Sequence, residues 1–263
     1  MRKRFRFQDK VVIVTGASSG IGRDTAVCFA REGAQVVLAA RSREGLEETA
    51  NLMSGGEALI VPTDVTKRDE VDRLIGKTIG RYGRVDILVN NAGVGYFGPV
   101  ATMPQCEIER VMQVNFSGLV SCTQAVLPSM IEQRQGQIIN ISSVVGKRAF
   151  SNIAIYSASK FAVNGFTEAL RLEVARYGID VILICPTSTN TIFFERSGSD
   201  GTTPKRARSP VVMRSETVAE TVVNAAARRK REVVLSYSAR FFLLVNKFMP
   251  GVVDWGLRRM ARE

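Results

Sequence analysis

The chain has 263 residues, a length that suits one large α/β domain or two small ones. With 45% hydrophobic and 23% charged residues, its composition is that of a globular protein and excludes a chain that is disordered throughout. The net charge of +11 sits at the two ends, because residues 1–10 and 228–263 carry ten of the eleven net charges. The nearly balanced middle argues against a nucleic-acid-binding domain, whereas the basic ends suit contact with an anionic surface.

The sequence contains no histidine, so every His-based nucleophile, general base and zinc site is excluded. The four cysteines form no Cys-x-x-Cys pair, a pattern typical of free, buried thiols in a reducing compartment, and no metal site is predicted. They are Cys28, Cys106, Cys122 and Cys185. No secretory signal and no apolar stretch of roughly 20 residues is recognisable, so we expect a cytoplasmic protein.

Short apolar runs with strand character recur along the chain. They lie at residues 11–14, 36–39, 59–61, 87–89, 138–141, 181–184 and 233–235. Helix-like segments between them, for example 69–81 and 156–177, are long enough for crossover connections. Strands that alternate with helices predict a parallel sheet covered on both faces. We therefore predict a single-domain α/β Rossmann fold over residues 1–263, with a doubly wound seven-stranded parallel sheet.

A glycine-rich loop, TGASSGIG at residues 15–22, joins the first strand to the first helix. Glycines permit a tight turn and a close approach of the backbone to a pyrophosphate, and the helix N-terminus attracts the anion. The position of the loop between a strand and a helix indicates a dinucleotide site, although its spacing is GxxxGxG rather than GxGxxG.

Tyr156 and Lys160 are four residues apart, so on a helix they share one face. A phenol with an unperturbed pKa near 10 is a poor acid–base group at neutral pH. A neighbouring ammonium group favours the phenolate, so we expect Lys160 to lower the pKa of Tyr156. Ser143 follows the fifth strand, 13 residues before the tyrosine.

Taken in order, these segments resemble the short-chain dehydrogenase/reductase family over residues 8–192. The resemblance rests on the glycine loop, on NNAG at residues 90–93, on Asn115, on Ser142 and Ser143, and on YSASK at residues 156–160. It implies an enzyme that moves a hydride between a nicotinamide and a carbonyl or hydroxyl carbon.

The resemblance also implies the roles of four catalytic residues. Tyr156 would give a proton to the carbonyl oxygen during reduction and take it back during oxidation. Ser143 would hydrogen-bond to the same oxygen as charge develops. Lys160 would hold the nicotinamide ribose, and Asn115 would position a water that relays protons to Lys160.

The cofactor is predicted from the same resemblance. The implied contacts are Gly16, Ser18, Ser19, Gly20, Ile21, Gly22, Arg41, Asp64, Val65, Asn91, Ala92, Gly93, Tyr156, Lys160, Pro186, Thr189 and Thr191. Ala40 stands where NAD-binding members carry an acid, and Arg41 follows with a guanidinium that suits a phosphate, so NADP(H) is favoured over NAD(H). Alternatively, Arg41 and Arg43 are a solvated helix start. Asp64 resembles the aspartate that contacts adenine, but it also reads as an N-cap or turn residue.

Two segments depart from the family. Thr187 replaces the glycine that usually follows Pro186, and a β-branched residue resists positive φ, so another loop path is expected. The polar, irregular stretch 187–215 is a candidate substrate lid. Residues 238–263 predict two short amphipathic helices separated by Pro250 and Gly251. A cap on the cleft, a subunit contact and a membrane-surface anchor all remain open for this extension.

Phe193 and its neighbours at the start of the lid favour a bulky hydrophobic ketone or alcohol as substrate. A ketoacyl-thioester reductase of lipid synthesis and a non-catalytic NADP(H)-sensing protein are the alternatives. The family commonly forms dimers or tetramers through its long helices, so we expect a homodimer or homotetramer that uses residues 108–133 and 156–177.

Overall fold

Parallel strands account for the recurring apolar runs. The computed structural model describes residues 5–53, 58–190, 193, 197–199 and 212–260. The strands are β1 (Val11–Thr15), β2 (Gln35–Ala40), β3 (Leu59–Pro62), β4 (Ile87–Asn90), β5 (Gly136–Ile141), β6 (Ile179–Cys185) and β7 (Glu232–Val234). They form one sheet in the order β7-β6-β5-β4-β1-β2-β3, and every pair is parallel. The predicted sheet is confirmed, with the last strand one residue earlier than expected.

Helices connect the strands and cover the sheet. They are α1 (Gly20–Arg31), α2 (Arg43–Asn51), α3 (Arg68–Tyr82), α4 (Gln105–Met112), α5 (Gly118–Gln133), α6 (Ala154–Val174), α7 (Ser215–Ala227), α8 (Tyr237–Phe248) and α9 (Pro250–Met260). The π-helical turn Gln113–Ser117 joins α4 to α5. The two predicted C-terminal amphipathic helices correspond to α8 and α9, and Pro250 opens α9, where its missing N–H is not needed.

The core has two layers, one on each face of the sheet. Alternate residues of β1 enter different layers, with Val12 and Val14 on one side and Val11 and Ile13 on the other. The first layer also takes residues from α1, α2 and α7, and the second takes residues from α3, α5 and α6. Burial on both faces explains why the central strands are largely apolar. The strand order reverses between β1 and β4, and this reversal opens a crevice at the carboxyl ends of the strands.

One helical segment corrects the expectation that no stretch is apolar enough to span a membrane. Among the described residues, Gln105–Gln133 passes a test of length and composition, with a mean hydropathy of 1.2. Helices in the cores of soluble proteins pass the same test. This segment buries Cys122, Val126 and Met130 in the second core layer, which explains its apolar character.

The cysteines agree with the sequence analysis only in part. All four are free thiols. Cys122 and Cys185 are buried, Cys28 is half-buried and Cys106 is exposed, so the expectation of four buried thiols is wrong for two of them. Cys106 lies in the first turn of α4, on the side that faces away from the core.

Two short strand pairs hold parts of the candidate lid. Thr189–Asn190 pairs with Met213–Arg214, and Tyr96–Phe97 pairs with Gly198–Ser199. The first pair brings the two ends of the lid together, and the second attaches its middle to the segment after β4. Lid residues 191, 192, 194–196 and 200–211, and with them the predicted contact Thr191, lie outside the described residues.

Candidate active site

The glycine loop brings backbone very close to the segment after β4. Gly16 and Gly20 have φ angles of +67° and +53°, a region that favours glycine. A Cβ on Gly22 would lie 2.3 Å from the carbonyl oxygen of Gly16 and 2.4 Å from Nδ2 of Asn91. The other predicted loop contacts, Ser18, Ser19, Gly20 and Ile21, are half-buried along the turn that opens α1. The loop therefore presents backbone and a helix N-terminus, the arrangement that accepts a pyrophosphate.

Thr15 is the centre of a hydrogen-bond network that fixes this loop. Its Oγ1 accepts hydrogen bonds from the backbone N–H groups of Asn91 (3.0 Å) and Ala92 (3.1 Å). Nδ2 of Asn91 donates to the carbonyl oxygens of Thr15 (2.9 Å) and Gly16 (3.3 Å). Asn91 and Ala92 thus support the loop from the neighbouring strand. Thr15 was not among the predicted contacts, although it is the first residue of the glycine-rich motif.

The end of β2 leaves one arginine available to a ligand. Arg41 is exposed, and within the described ranges it makes no ion pair shorter than 4.0 Å. Arg43, by contrast, pairs with Glu47 at 2.9 Å in the first turns of α2. The alternative, in which both arginines belong to a solvated helix start, therefore holds for Arg43. Arg41 lies outside the helix, just before the N-cap residue Ser42.

Asp64 is a turn residue next to Arg41. Its Oδ1 accepts hydrogen bonds from the backbone N–H (3.0 Å) and the hydroxyl (2.8 Å) of Thr66. Burial acts to raise the pKa of Asp64, but the Thr66 hydrogen bonds and the charges of Arg41 and Lys67 hold it below its ordinary value. Lys67, not Asp64, is the N-cap residue of α3, so the N-cap interpretation is wrong. The next residue, Val65, is buried against Gly118.

Tyr156 and Lys160 share the first turns of α6 as predicted, and Nζ of Lys160 lies 5.7 Å from the centroid of the tyrosine ring. Lys160 is only 5% exposed, and its Nζ donates to the carbonyl oxygen of Ile141 at 2.9 Å. Burial lowers the pKa of Lys160 to about 8, while nearby Cys185 acts in the opposite direction.

The pKa of Tyr156 corrects the sequence-based expectation. Burial raises it well above the ordinary value for a phenol, and a hydrogen bond with Ser143 opposes that rise. The expected lowering by Lys160 is wrong, because desolvation of the phenolate outweighs the other effects. Ser143 is the second residue after β5, and its Oγ also donates to the carbonyl oxygen of Pro186 at 3.4 Å.

Asn115 lies in the π-helical turn and is 1% exposed. Its Oδ1 accepts from the backbone N–H of Val94 (2.8 Å), and its Nδ2 donates to the carbonyl oxygen of Val94 (2.9 Å) and to Oγ of Ser159 (3.0 Å). A Cβ on Gly93 would lie 3.4 Å from this Oδ1 and 3.8 Å from Nζ of Lys160. The asparagine side chain therefore fixes the strand end beside Lys160, while the water relay stays a prediction.

The segment after β6 closes the site on the side of Ser143. The carbonyl oxygen of Pro186 accepts hydrogen bonds from this serine and from the backbone N–H of Val144 (3.0 Å). The described non-glycine residues with positive φ are Asp9, Arg134, Asn152 and Arg229. Thr187 is not among them, so the backbone here is one that a threonine adopts without strain. Oγ1 of Thr189 donates to the carbonyl oxygen of Thr187 at 3.0 Å.

Two phenylalanine rings form an apolar wall beside Tyr156. The ring of Phe193 lies 5.4 Å from that of Tyr156 and 6.5 Å from that of Phe97, centroid to centroid. Phe193 was predicted to lie in the lid, whereas Phe97, in the segment after β4, was not predicted at this site. No spacing in the sequence connects residues so far apart along the chain.

These residues fit a nicotinamide dinucleotide. The glycine loop leaves a space that any Cβ at Gly22 would fill. Around the carboxyl ends of the strands lie the other polar groups of the site: the buried Lys160, the hydroxyl groups of Ser143 and Tyr156, and the exposed Arg41. A chain of donors and cations of this kind suits a ligand with a pyrophosphate, ribose hydroxyls and a polar ring.

Comparisons with known proteins agree with this geometry. The family model for short chain dehydrogenases matches residues 10–201. An uncharacterized oxidoreductase of Listeria monocytogenes is 42% identical over 192 residues, covering 72% of this chain and 77% of that protein. One from Staphylococcus aureus strain USA300 is 41% identical over 183 residues, covering 70% and 79%.

Solved structures are similar over more of the chain. Levodione reductase is 31% identical with a TM-score of 0.79, and 87% of this chain and 96% of that chain are covered. A short-chain dehydrogenase/reductase from Burkholderia phymatum, in complex with NAD, is 26% identical with a TM-score of 0.86, covering 94% and 96%.

Proposed function

This chain belongs to the short-chain dehydrogenase/reductase family, and from that premise we propose that it is an NADP(H)-dependent oxidoreductase that acts on a bulky hydrophobic carbonyl compound or secondary alcohol. The observation that carries the proposal is the convergence of Ser143, Tyr156 and Lys160 beside the glycine loop. Asn115 supports the group from the adjacent π-helical turn.

The reaction divides between the cofactor and the protein. The nicotinamide, when bound, supplies the hydride for reduction and accepts it for oxidation. Tyr156, whose phenol stays protonated because burial raises its pKa, donates a proton to the carbonyl oxygen. Oγ of Ser143 donates a hydrogen bond to the same oxygen as negative charge develops. The ammonium of Lys160 orients the ribose and favours the return of the proton during oxidation.

The catalytic assignment predicts the behaviour of Tyr156→Phe. Removing the hydroxyl deletes the proton donor, so NADPH oxidation should fall by about 10²–10⁴-fold on every carbonyl compound, the range that general acid catalysis contributes. The measurement is NADPH absorbance over a panel of aliphatic ketones, steroids, quinones, levodione and ketoacyl thioesters. NADPH affinity, measured by fluorescence, should change little.

The panel also tests the alternatives. Turnover confined to ketoacyl thioesters would assign the enzyme to lipid synthesis. Tight NADPH binding with no turnover on any compound would favour a sensor. Equal turnover in the wild type and in Tyr156→Phe would refute the assignment of the tyrosine. Levodione is included because levodione reductase is similar in structure to this chain. The apolar wall of Phe97 and Phe193 favours the larger ketones as substrates.

The preference for NADP(H) rests on Arg41, which lies free at the end of β2 behind the neutral Ala40. A hydrogen bond to a charged group contributes about 1.5–3 kcal/mol, so Arg41→Leu should raise the KM for NADPH roughly tenfold or more and leave the KM for NADH almost unchanged. Arg43→Leu is the matched control, because Arg43 is already paired with Glu47. Equal effects of Arg41→Leu on both cofactors would argue for NAD(H).

A further inference from the structure

The two C-terminal helices carry an apolar face that nothing in the described structure covers. This C-terminal apolar face consists of Tyr237, Phe241, Leu244, Phe248, Met249, Val252 and Trp255. Its α8 members follow the i, i+4, i+7, i+11 spacing of one helical face. Tyr237 is 85% exposed, Phe248 is 71% exposed and Trp255 is 66% exposed. Exposed aromatic side chains in such a line mark an interaction surface.

The opposite sides of these helices are anchored to the body of the protein. Ala239 and Val253 are buried, and Phe242 stacks on Phe150 with ring centroids 6.1 Å apart. Asp254 forms an ion pair with Arg148. The apolar face therefore belongs to docked helices with a fixed orientation.

The charges around the face are almost all positive. The basic residues of α8 and α9 are Arg240, Lys247, Arg258 and Arg259. Asp254 is the one acidic residue in the sequence of these helices, and its negative charge is compensated by the ion pair with Arg148. Two of the cations lie beside exposed rings, with Arg240 5.2 Å from the ring centroid of Tyr237 and Lys247 5.7 Å from that of Phe248. A partner must accept aromatic rings and cations at the same place.

We propose that the C-terminal apolar face binds the surface of an anionic lipid bilayer. An amphipathic helix with a basic flank lies in the plane of the interface, with its apolar side chains among the acyl chains and its cations at the headgroups. Tyrosine and tryptophan are suited to this depth, because their rings are apolar and carry one polar group. Anionic headgroups complement the excess of positive charge, which a second copy of the same face would repel.

The bound surface would stand next to the active site. The segment that follows Ser143 contacts the C-terminal part of the chain through the Arg148–Asp254 pair, through Phe150 and through Lys147, which pairs with Glu232 at 3.0 Å. A substrate dissolved in the bilayer could therefore enter the active site directly from the lipid. Only this consequence rests on the proposed function; lipid binding itself does not.

The experiment uses Trp255, which is the only tryptophan of the chain. Full-length protein is titrated with vesicles of phosphatidylcholine, with or without phosphatidylglycerol. We expect a blue shift of tryptophan emission with the anionic vesicles, quenching by brominated acyl chains, and reversal at high salt. No shift with anionic vesicles at low salt would overturn the proposal.

Variants separate the apolar and electrostatic contributions. Phe241→Ser with Phe248→Ser should lower vesicle partitioning at least tenfold, and Lys247→Glu should lower it roughly fivefold or more. Leu52→Ser and Lys77→Glu, on exposed positions of other elements, are the matched controls and should leave partitioning unchanged. Equal losses in the controls would contradict the assignment of the surface.

Two further readouts separate membrane binding from self-association and from catalysis. A blue shift that depends on protein concentration without vesicles, together with loss of a dimer in Phe241→Ser, would assign the face to a second copy of the chain and overturn the proposal. Tyr156→Phe should bind vesicles like the wild type. Failure of the hydride-transfer assay would therefore refute the proposed function and leave lipid binding standing.

Discussion

Burial has opposite consequences for Tyr156 and Lys160, two titratable groups in the first turns of α6. Tyr156 is kept neutral because its charged form is the phenolate, and burial raises its pKa. Lys160 is pushed toward the neutral amine because its charged form is the protonated one, and burial lowers its pKa to about 8. Burial therefore keeps the Tyr156 phenol protonated and disfavours the positive charge on Lys160.

The buried lysine predicts a pH-dependent stability. Its pKa is about 8 in the folded protein and near 10.5 in the unfolded chain. Below pH 8 both states hold the proton, and the fold carries the full cost of the buried ammonium. Between these two values the unfolded state binds more protons, so the lysine's destabilising effect shrinks as pH rises. Lys160→Met should thus gain stability relative to the wild type at neutral pH, and this relative gain should diminish as pH approaches 10.

Urea denaturation of both cofactor-free proteins across this pH range measures the effect. The packing difference between lysine and methionine adds an offset that does not depend on pH, so only the slope is diagnostic. A difference in unfolding free energy that stays constant with pH would show that Lys160 keeps its ordinary pKa in the fold.

The strand–loop–helix element at the start of the chain predicts a steric requirement for glycine. In Gly22→Ala the new Cβ would meet the Gly16 carbonyl oxygen and Asn91, so the loop must shift. We expect a loss of about 1–3 kcal/mol in stability and at least a tenfold weaker affinity for NADPH. Chemical denaturation and fluorescence titration measure the two effects.

Gly76→Ala in α3 is the control for the loop variant, because a Cβ there would have no neighbour within 4 Å. Alanine is the better helix former, so this change should stabilise the protein by roughly 0.5–1 kcal/mol. If both alanine variants behaved alike, the close contact between the loop and Asn91 would not be what requires glycine.

The same elements show what the sequence can and cannot predict. Each strand of the sheet contains a short apolar run, so all seven were found. The two-residue strand at Tyr96–Phe97 is too short for any periodicity, and the π-helical turn at Gln113–Ser117 hardly changes the apolar pattern. Motif order identified Tyr156 and Lys160, but the depth of their burial, and hence the direction of the tyrosine pKa, depends on tertiary packing.

Two exposed surfaces of the protein have different chemistry. The C-terminal apolar face is surrounded by cations. The outer face of α6 exposes Phe161, Gly165, Glu168 and Leu172 at the spacing of one helical face, and its apolar members are 46% exposed at Phe161 and 79% exposed at Leu172. A small residue between two apolar ones permits close approach of a second helix, so this face is the better candidate for the predicted homodimer.

We expect Leu172→Asp to produce a smaller assembly than the wild type, because two buried carboxylates would face each other across a symmetric interface. Sedimentation equilibrium measures the mass. Wild-type thermal stability should also rise with protein concentration, and that dependence should vanish in the variant. Phe241→Ser is the internal control, since it alters the C-terminal apolar face and should leave the assembly intact. An unchanged mass in Leu172→Asp, with a reduced mass in Phe241→Ser, would show that the C-terminal apolar face, and not the outer face of α6, forms the dimer.

Because Tyr156 and Lys160 lie on α6, loss of the partner helix should also lower turnover, by loosening the helix that positions them.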